Sequence, residues 1–327
     1  MKLKKILLLP VFFVLLACCG RENSVVPEEP STWAQRLGYP AGKKVLILHA
    51  DDIGMCEEAN AAAKAYLLDD KIQSASVMVP CPAAAEFIQW YAQHPDEDVG
   101  VHLTLNAEWR DYRWGPVSES GLGSGLVDPD GFLWRDVRSV VEHASAAEVE
   151  REIRAQVGRF TELGVKPGHI DTHMGTLYSQ PEYTRAYLNL AVEMDLPAMA
   201  ISFTPAVAQR FREQGYPLTD ELTGYIEGVP LPKLDDFHAV PGGASYQEVR
   251  AGFIQLIESL QPGLCEIIFH PSIESERLKT ITNSWQQRVW ESQLFYDEEI
   301  EAFFDSNEVI FTNWKQVMAR FKERKAG

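Results

Sequence analysis

Short runs of continuous apolar residues alternate with helix-patterned stretches along nearly the whole chain, and this alternation restricts the fold more than any other feature. Val45-Leu46-Ile47-Leu48 is such a run, ending in polar residues as strands buried on both faces do. Glu57 to Leu68 follows, rich in alanine and other helix formers. Ser74 to Val79 predicts a second strand and Pro82 to Gln93 its helix, with the proline at a tolerated early position. Asp98 to Leu105 predicts a third strand. Ala146 to Leu163 predicts an amphipathic helix with Val149, Ile153, Val157, Phe160 and Leu163 on one stripe. His169 to His173 is strand-like, Tyr183 to Met194 helical and Ala198 to Ser202 extended. Tyr246 to Leu260, Trp285 to Phe304 and Trp314 to Lys322 predict helices, with strands at Cys265 to His270 and Val309 to Phe311. Repeated strand-then-helix units imply a parallel α/β sheet with right-handed crossovers, and about seven of them favour closure into a TIM-like (β/α) barrel. An open doubly wound sheet is the alternative, but no G-x-G-x-x-G follows the first strand. Two stretches break the rhythm, Asn106 to about His143 and Phe203 to about Gly243, and both predict long irregular loops within a single domain.

The first residues have a different character. Lys2, Lys4 and Lys5 precede an apolar run from Ile6 to Leu16, too short for a mature membrane span. Leu15-Leu16-Ala17-Cys18 resembles the lipobox of bacterial lipoproteins. That resemblance implies a signal peptide over 1–17, lipidation of Cys18, a polar and Pro-rich tether within 18–42, and the domain over 43–327. The expected location is the cell envelope, anchored to a membrane and facing the periplasm or exterior. Without the three lysines of 1–17, the formal charge of -17 becomes -20. Such acidity repels nucleic acid and disfavours polyanionic substrates. Cys56, Cys81 and Cys265 show no C-x-x-C spacing, so a zinc ribbon or disulfide scaffold is not expected.

Chemistry-bearing residues collect where strands end. The first strand runs into His49-Ala50-Asp51-Asp52-Ile53-Gly54 and the third contains Gly100-Val101-His102-Leu103-Thr104. His169-Ile170-Asp171-Thr172-His173 and Phe269-His270-Pro271 are the other two segments. Five of the eight histidines lie in these four segments, and the carboxyl ends of parallel barrel strands converge on one face. A carboxylate with two imidazoles is an open set for a catalytic divalent metal, Zn or Mg. Taken singly, each segment has a plainer explanation. Asp51-Asp52 could cap a helix, His102 could be a satisfied core histidine, and His270 before Pro271 could be a turn residue.

In this order, H-A-D-D-I-G, G-V-H-L-T-L, H-I-D-T-H-M-G and F-H-P resemble the motifs of the YdjC-type carbohydrate deacetylases. The resemblance spans about Val45 to Pro271 and implies a distorted TIM-like barrel. It also implies metal ligands at Asp52, His102 and His173 and a catalytic base at Asp51. Two positions depart from the family: His49 stands where it usually has Asn, and Met174-Gly175 where further histidines often follow. Both departures bear on the substrate pocket.

The implied reaction is removal of an acetyl group from an N-acetylated sugar by metal-activated water. His270 is the candidate acid for the leaving amine, and His169 and Asp171 are expected to orient His173. Trp109, Tyr112 and Trp114 are candidate stacking surfaces for a sugar ring. The competing readings are another metal-dependent hydrolase on the same barrel, an amidohydrolase or phosphoesterase, and a non-catalytic glycan-binding lipoprotein.

Overall fold

The computed structural model describes residues 32–119 and 123–326. The expected signal peptide and Cys18 lie outside them. The elements are α1 (Trp33–Arg36), β1 (Lys44–Ile53), α2 (Glu57–Leu68), β2 (Ser74–Val77), α3 (Ala84–Tyr91), β3 (Val99–Leu103), α4 (Val137–His143) and α5 (Ala146–Glu162). Then come β4 (Ile170–Thr172), a 3-10 turn (His173–Tyr178), α6 (Pro181–Glu193), α7 (Pro205–Glu213), α8 (Asp220–Gly228) and β5 (Asp236–Ala239). The chain finishes with α9 (Tyr246–Ser259), β6 (Gly263–Phe269), α10 (Glu276–Ile281), α11 (Trp285–Leu294), α12 (Glu298–Ser306), β7 (Val309–Phe311) and α13 (Trp314–Ala326).

All seven strands are parallel, in the order β4-β3-β2-β1-β6-β5, with β7 also paired to β1. β1 is the centre. β6 runs beside it from Lys44 to Ala50, while β7 pairs with Lys44–Leu46 and β2 with His49–Ile53. Every residue of β1 after Lys44 is buried, which explains its unbroken apolar run. The sheet curls into a half-barrel with helices around it. Among the described residues no full strand lies between β4 and β5; single bridges, Ile170 to Ala198 and Ile201 to Leu234, stand there. The segment expected to be extended, Ala198 to Ser202, thus spans the gap through isolated bonds.

The sequence patterns place the main helices well. α2 has the expected bounds, and Val149, Ile153, Val157 and Phe160 of α5 are buried as the stripe requires. Four differences have physical causes. The helix expected from Trp285 to Phe304 is two helices, because Asp297 accepts the Glu299 N–H at 2.8 Å and caps α12. The second irregular stretch contains α7, α8 and the strand β5; Thr204 and Thr219 cap the two helices, and Pro205 opens α7. At the end of the first irregular stretch, Asp136 caps α4 through the Ser139 N–H. Lastly, part of the expected tether is folded: α1 docks through its Trp33 and Ala34 N–H groups, which donate to Asp235 at 2.7 and 3.0 Å. Cys56, Cys81 and Cys265 are buried free thiols.

Asp98, directly before β3, ties together the start of β2, the residue before β4 and the start of α13. Its carboxylate accepts from Ser74 Oγ at 3.2 Å and the Trp314 N–H at 2.6 Å, and lies 3.1 Å from His169 Nδ1. Burial opposes its charge, but His169 holds its carboxyl below the usual carboxylate range. Replacing it with alanine strands a backbone N–H and an imidazole in the core, at a cost of about 3 kcal/mol. Asp98→Ala is therefore expected to lower the urea midpoint with an unchanged slope. An unmoved midpoint would show that Asp98 contributes nothing to stability.

Candidate functional site

The first strand ends irregularly, and that irregularity builds the site. Neighbours on a regular strand point to opposite faces. Here the β1–β2 register shifts between Ala50 and Ile53, and Asp52 has φ 61°. Aspartate tolerates this left-handed conformation better than most residues. The bulge turns both carboxylates to one imidazole: Asp51 Oδ1 lies 3.9 Å from His102 Nδ1, and Asp52 Oδ1 lies 3.4 Å from His102 Nε2. Gly54 (φ 87°) completes the turn, where an added Cβ would meet the Ala84 backbone at 2.9 Å.

Three ligand-type atoms converge. Asp52 Oδ1 is 3.1 Å from His173 Nδ1 and 3.4 Å from His102 Nε2, and the two imidazole nitrogens are 3.2 Å apart. Donors around an ion with bonds of about 2.1 Å are separated by roughly 3.0–3.5 Å, so this triangle has the right size for a divalent metal. Asp52 Oδ1 is buried without a hydrogen-bond partner among the described residues, which a cation would remedy. The residues present therefore fit a metal.

The partners of these three side chains fix their directions. Arg288 of α11 donates to Asp52 Oδ2 at 2.6 Å, leaving Oδ1 turned toward the imidazoles. Burial resists ionisation of Asp52, yet Arg288 and His173 hold its carboxyl well below the usual range. Asp171 Oδ1 sits 2.7 Å from His102 Nδ1, so the outer nitrogen of His102 has a carboxylate partner. For His173 the outer partner is Glu108, at 3.1 Å from Nε2. Burial disfavours the charged His173, but Glu108 and Asp52 raise it to about 9.

This arrangement corrects part of the sequence expectation. Asp171, expected beside His173, lies against His102, because β3 and β4 pair with His102 beside Asp171. His169 meets Asp98 through Nδ1, while its Nε2 lies 3.8 Å from Asp171 Oδ2, and its close packing requires Gly100, where a Cβ would lie 2.3 Å from that Nε2. Glu108 and Arg288 were not found from sequence. Glu108 lies in an irregular stretch, and Arg288 is a lone arginine on a helix, so neither carries a local signal.

A cavity of about 330 Å³ opens beside the triangle. Asp51, His102, Asp171, His173, Glu266 and His270 reach it, joining the four motif segments at one place. Glu266 is buried and raised to about 8, principally by burial. Burial lowers His270, but its Glu291 partner and then Asp52 raise it above the ordinary imidazole value overall. The opposite wall is apolar and comes largely from the second irregular stretch, through Phe203, Phe211, Tyr216 and Leu218. Tyr216 packs against Gly175 (φ 64°), where a side chain would collide with its hydroxyl at 2.3 Å. Trp109, Tyr112 and Trp114 do not line this cavity. Trp109 and Trp114 are buried edge-to-face with ring centroids 5.2 Å apart, and the Tyr112 hydroxyl donates to the Met55 carbonyl at 2.7 Å. The aromatic side chains that line the cavity are instead Tyr178, Phe203, Phe211, Tyr216 and Phe237.

Comparison with known proteins agrees with the motif order. A carbohydrate deacetylase of Thermus thermophilus is 31% identical over 78% of this chain and 86% of that protein. One of Thermoanaerobacter pseudethanolicus is 25% identical over 83% of this chain and 98% of that protein. Among solved structures, a candidate cellobiose-phosphate cleavage protein of Enterococcus faecalis V583 superposes with a TM-score of 0.68 at 20% identity. It covers 84% of this chain and 99% of its own, which shows a shared fold. The YdjC-like protein family matches residues 45–306, from the start of β1 to the end of α12, and the chain belongs to that family.

Proposed function

We propose that this protein is a metal-dependent hydrolase that removes the acetyl group from an N-acetylated sugar. The observation that carries the proposal is the triangle of Asp52, His102 and His173, open to a cavity that also presents Asp51 and His270. Two imidazoles and a carboxylate suit a zinc-class ion better than magnesium. The relatives' activity supports the choice of a sugar amide. The cavity lining includes carboxylates but no lysine or arginine, a poor match for a phosphoester. We read Ala198 to Ser202 as the stand-in for the missing strand of a distorted TIM-like barrel.

Hydrolysis of the amide adds a water oxygen to the carbonyl carbon and a proton to the leaving nitrogen. A divalent metal held by Asp52, His102 and His173 would polarise the carbonyl and acidify water. Asp51 accepts the water proton. His270, from the end of β6, donates a proton to the departing amine. Asp171 and Glu108 hold the two imidazoles in the tautomers that leave His102 Nε2 and His173 Nδ1 free to bind.

The roles of the adjacent aspartates separate in experiment. Asp52→Asn is expected to lose metal, whereas Asp51→Asn keeps it while acetate release falls roughly 10²–10⁴-fold. Elemental analysis alongside acetate release checks both, and two active variants would place the catalytic site elsewhere.

The pH dependence follows from His270. Its raised pKa keeps the acid protonated beyond the ordinary imidazole range, so activity should fall only as pH climbs through that raised value. His270→Gln should remove this alkaline limb from the kcat profile. An identical limb in the variant would assign the proton to another group.

We also propose, on the sequence of the first 18 residues alone, that Cys18 is lipidated and anchors the domain to an envelope membrane. Cys18→Ala should move a tagged protein from the detergent to the aqueous phase. Equal detergent recovery of both forms would count against the anchor.

A further inference from the structure

Nothing in the mechanism above employs His49, which lies at the carboxyl end of β1 two residues before Asp51. Its side chain is fully buried in the middle of the acidic cluster. Nε2 lies 3.2 Å from Asp51 Oδ1, 3.0 Å from Asp171 Oδ2 and 3.0 Å from Ser76 Oγ. Ser76 Oγ in turn lies 3.2 Å from His102 Nδ1. One imidazole nitrogen therefore sits between the carboxylate assigned as the base and the carboxylate that orients His102. The other ring nitrogen, Nδ1, has no hydrogen-bond partner among the described residues. A residue selected for packing alone would not bring an unpartnered ring nitrogen into the core.

We infer that His49 is a positioning residue that holds Asp51 at the angle needed to take the water proton, while coupling it to the Asp171–His102 pair. This rests on Asp51 being the base, as proposed above. The physical need is specific. Asp51 and Asp171 are two acidic groups facing one space with Glu266 nearby, and like charges at close range drive side chains apart or into solvent. Nε2 is hydrogen-bonded to Ser76 Oγ and lies within ion-pair range of both carboxylates, so one imidazole faces the two together, and burial strengthens that attraction. Arg288 does not supply it, since its side-chain contacts are to Asp52, Met55, Ser284 and the ring of Trp109. Burial disfavours a charged His49, but Glu266, Asp171 and Asp51 together raise its pKa well above the ordinary imidazole value, consistent with a donor in this place.

The test compares three full-length proteins, wild type, His49→Leu and His49→Asn, on one N-acetylated sugar that the wild type turns over. Leucine fills a similar space without a donor, whereas asparagine keeps side-chain N–H groups on a polar side chain. His49→Leu should keep its bound metal and its KM within threefold but lose roughly 10- to 100-fold in kcat. His49→Asn should recover most of that loss. A leucine variant with wild-type kcat overturns the inference, as does one that loses its metal, which would make His49 a support of the metal site instead. If His49→Leu fails to fold, His49→Met takes its place, and a folded His49→Asn with kcat reduced a hundredfold would also overturn the inference. Failure of the underlying proposal looks different: the wild type itself would release no acetate from any N-acetylated sugar.

Discussion

The carboxyl end of β1 is the fixed point on which the site depends. Three strands hydrogen-bond to β1, with β6 on one side and β7 and β2 sharing the other. A strand gripped along both edges cannot rotate or slide without breaking several ladders at once. The backbone leading into Asp51 and Asp52 is therefore rigid, and the bulge that follows can hold Asp52 at φ 61° without collapsing to a more relaxed turn. Arg288 then locks the Asp52 side chain from α11, far along the chain. The positions of the other site groups follow from that rigid edge through strand pairing: β3 beside β2, and β4 beside β3.

Charge balance is the second constraint. Asp52, Asp171 and Glu266 are all buried near one another. Burial alone would push each toward its neutral form. Glu266, whose hydrogen bond comes from the neutral indole of Trp314 at 2.6 Å, is pushed up to about 8. Asp52 and Asp171 behave oppositely, because Arg288, His102, His173 and His49 face them with positive or donating groups. The interior is thus divided into carboxylates held ionised and one held toward its acid form by which neighbour each strand end supplies. Buried charges of this kind add little to stability, and a fold retains them where a site needs charge.

The cavity has two walls of different origin. The polar wall belongs to the strand ends of the half-barrel, while the apolar wall comes from α7 and the segments around it. The first is fixed by ladder hydrogen bonds. The second is built on helices and turns outside the sheet, where substitutions are tolerated more readily. The titratable groups of the cavity thus lie on the sheet side and much of its apolar surface on the α7 side.

The sequence by itself determined the alternating α/β architecture, most helix positions and the four segments that carry the chemistry. These are local properties: apolar runs, helical periodicity, and unusual clusters of histidine and aspartate at strand ends. Even some missed elements had local signals, as Thr204-Pro205 at the start of α7 shows. Other features were decided by tertiary structure alone. That Asp51 and Asp52 face the same imidazole depends on a bulge set by pairing with β2. That Asp171 serves His102 depends on the register between β3 and β4. Glu108 and Arg288 reach the site only because distant segments fold over it, and the tryptophans near Trp109 turn inward because the loop packs on itself. Residue type and local spacing are carried by the chain, whereas the direction of a side chain and the identity of its neighbour are set by contacts between residues far apart in sequence.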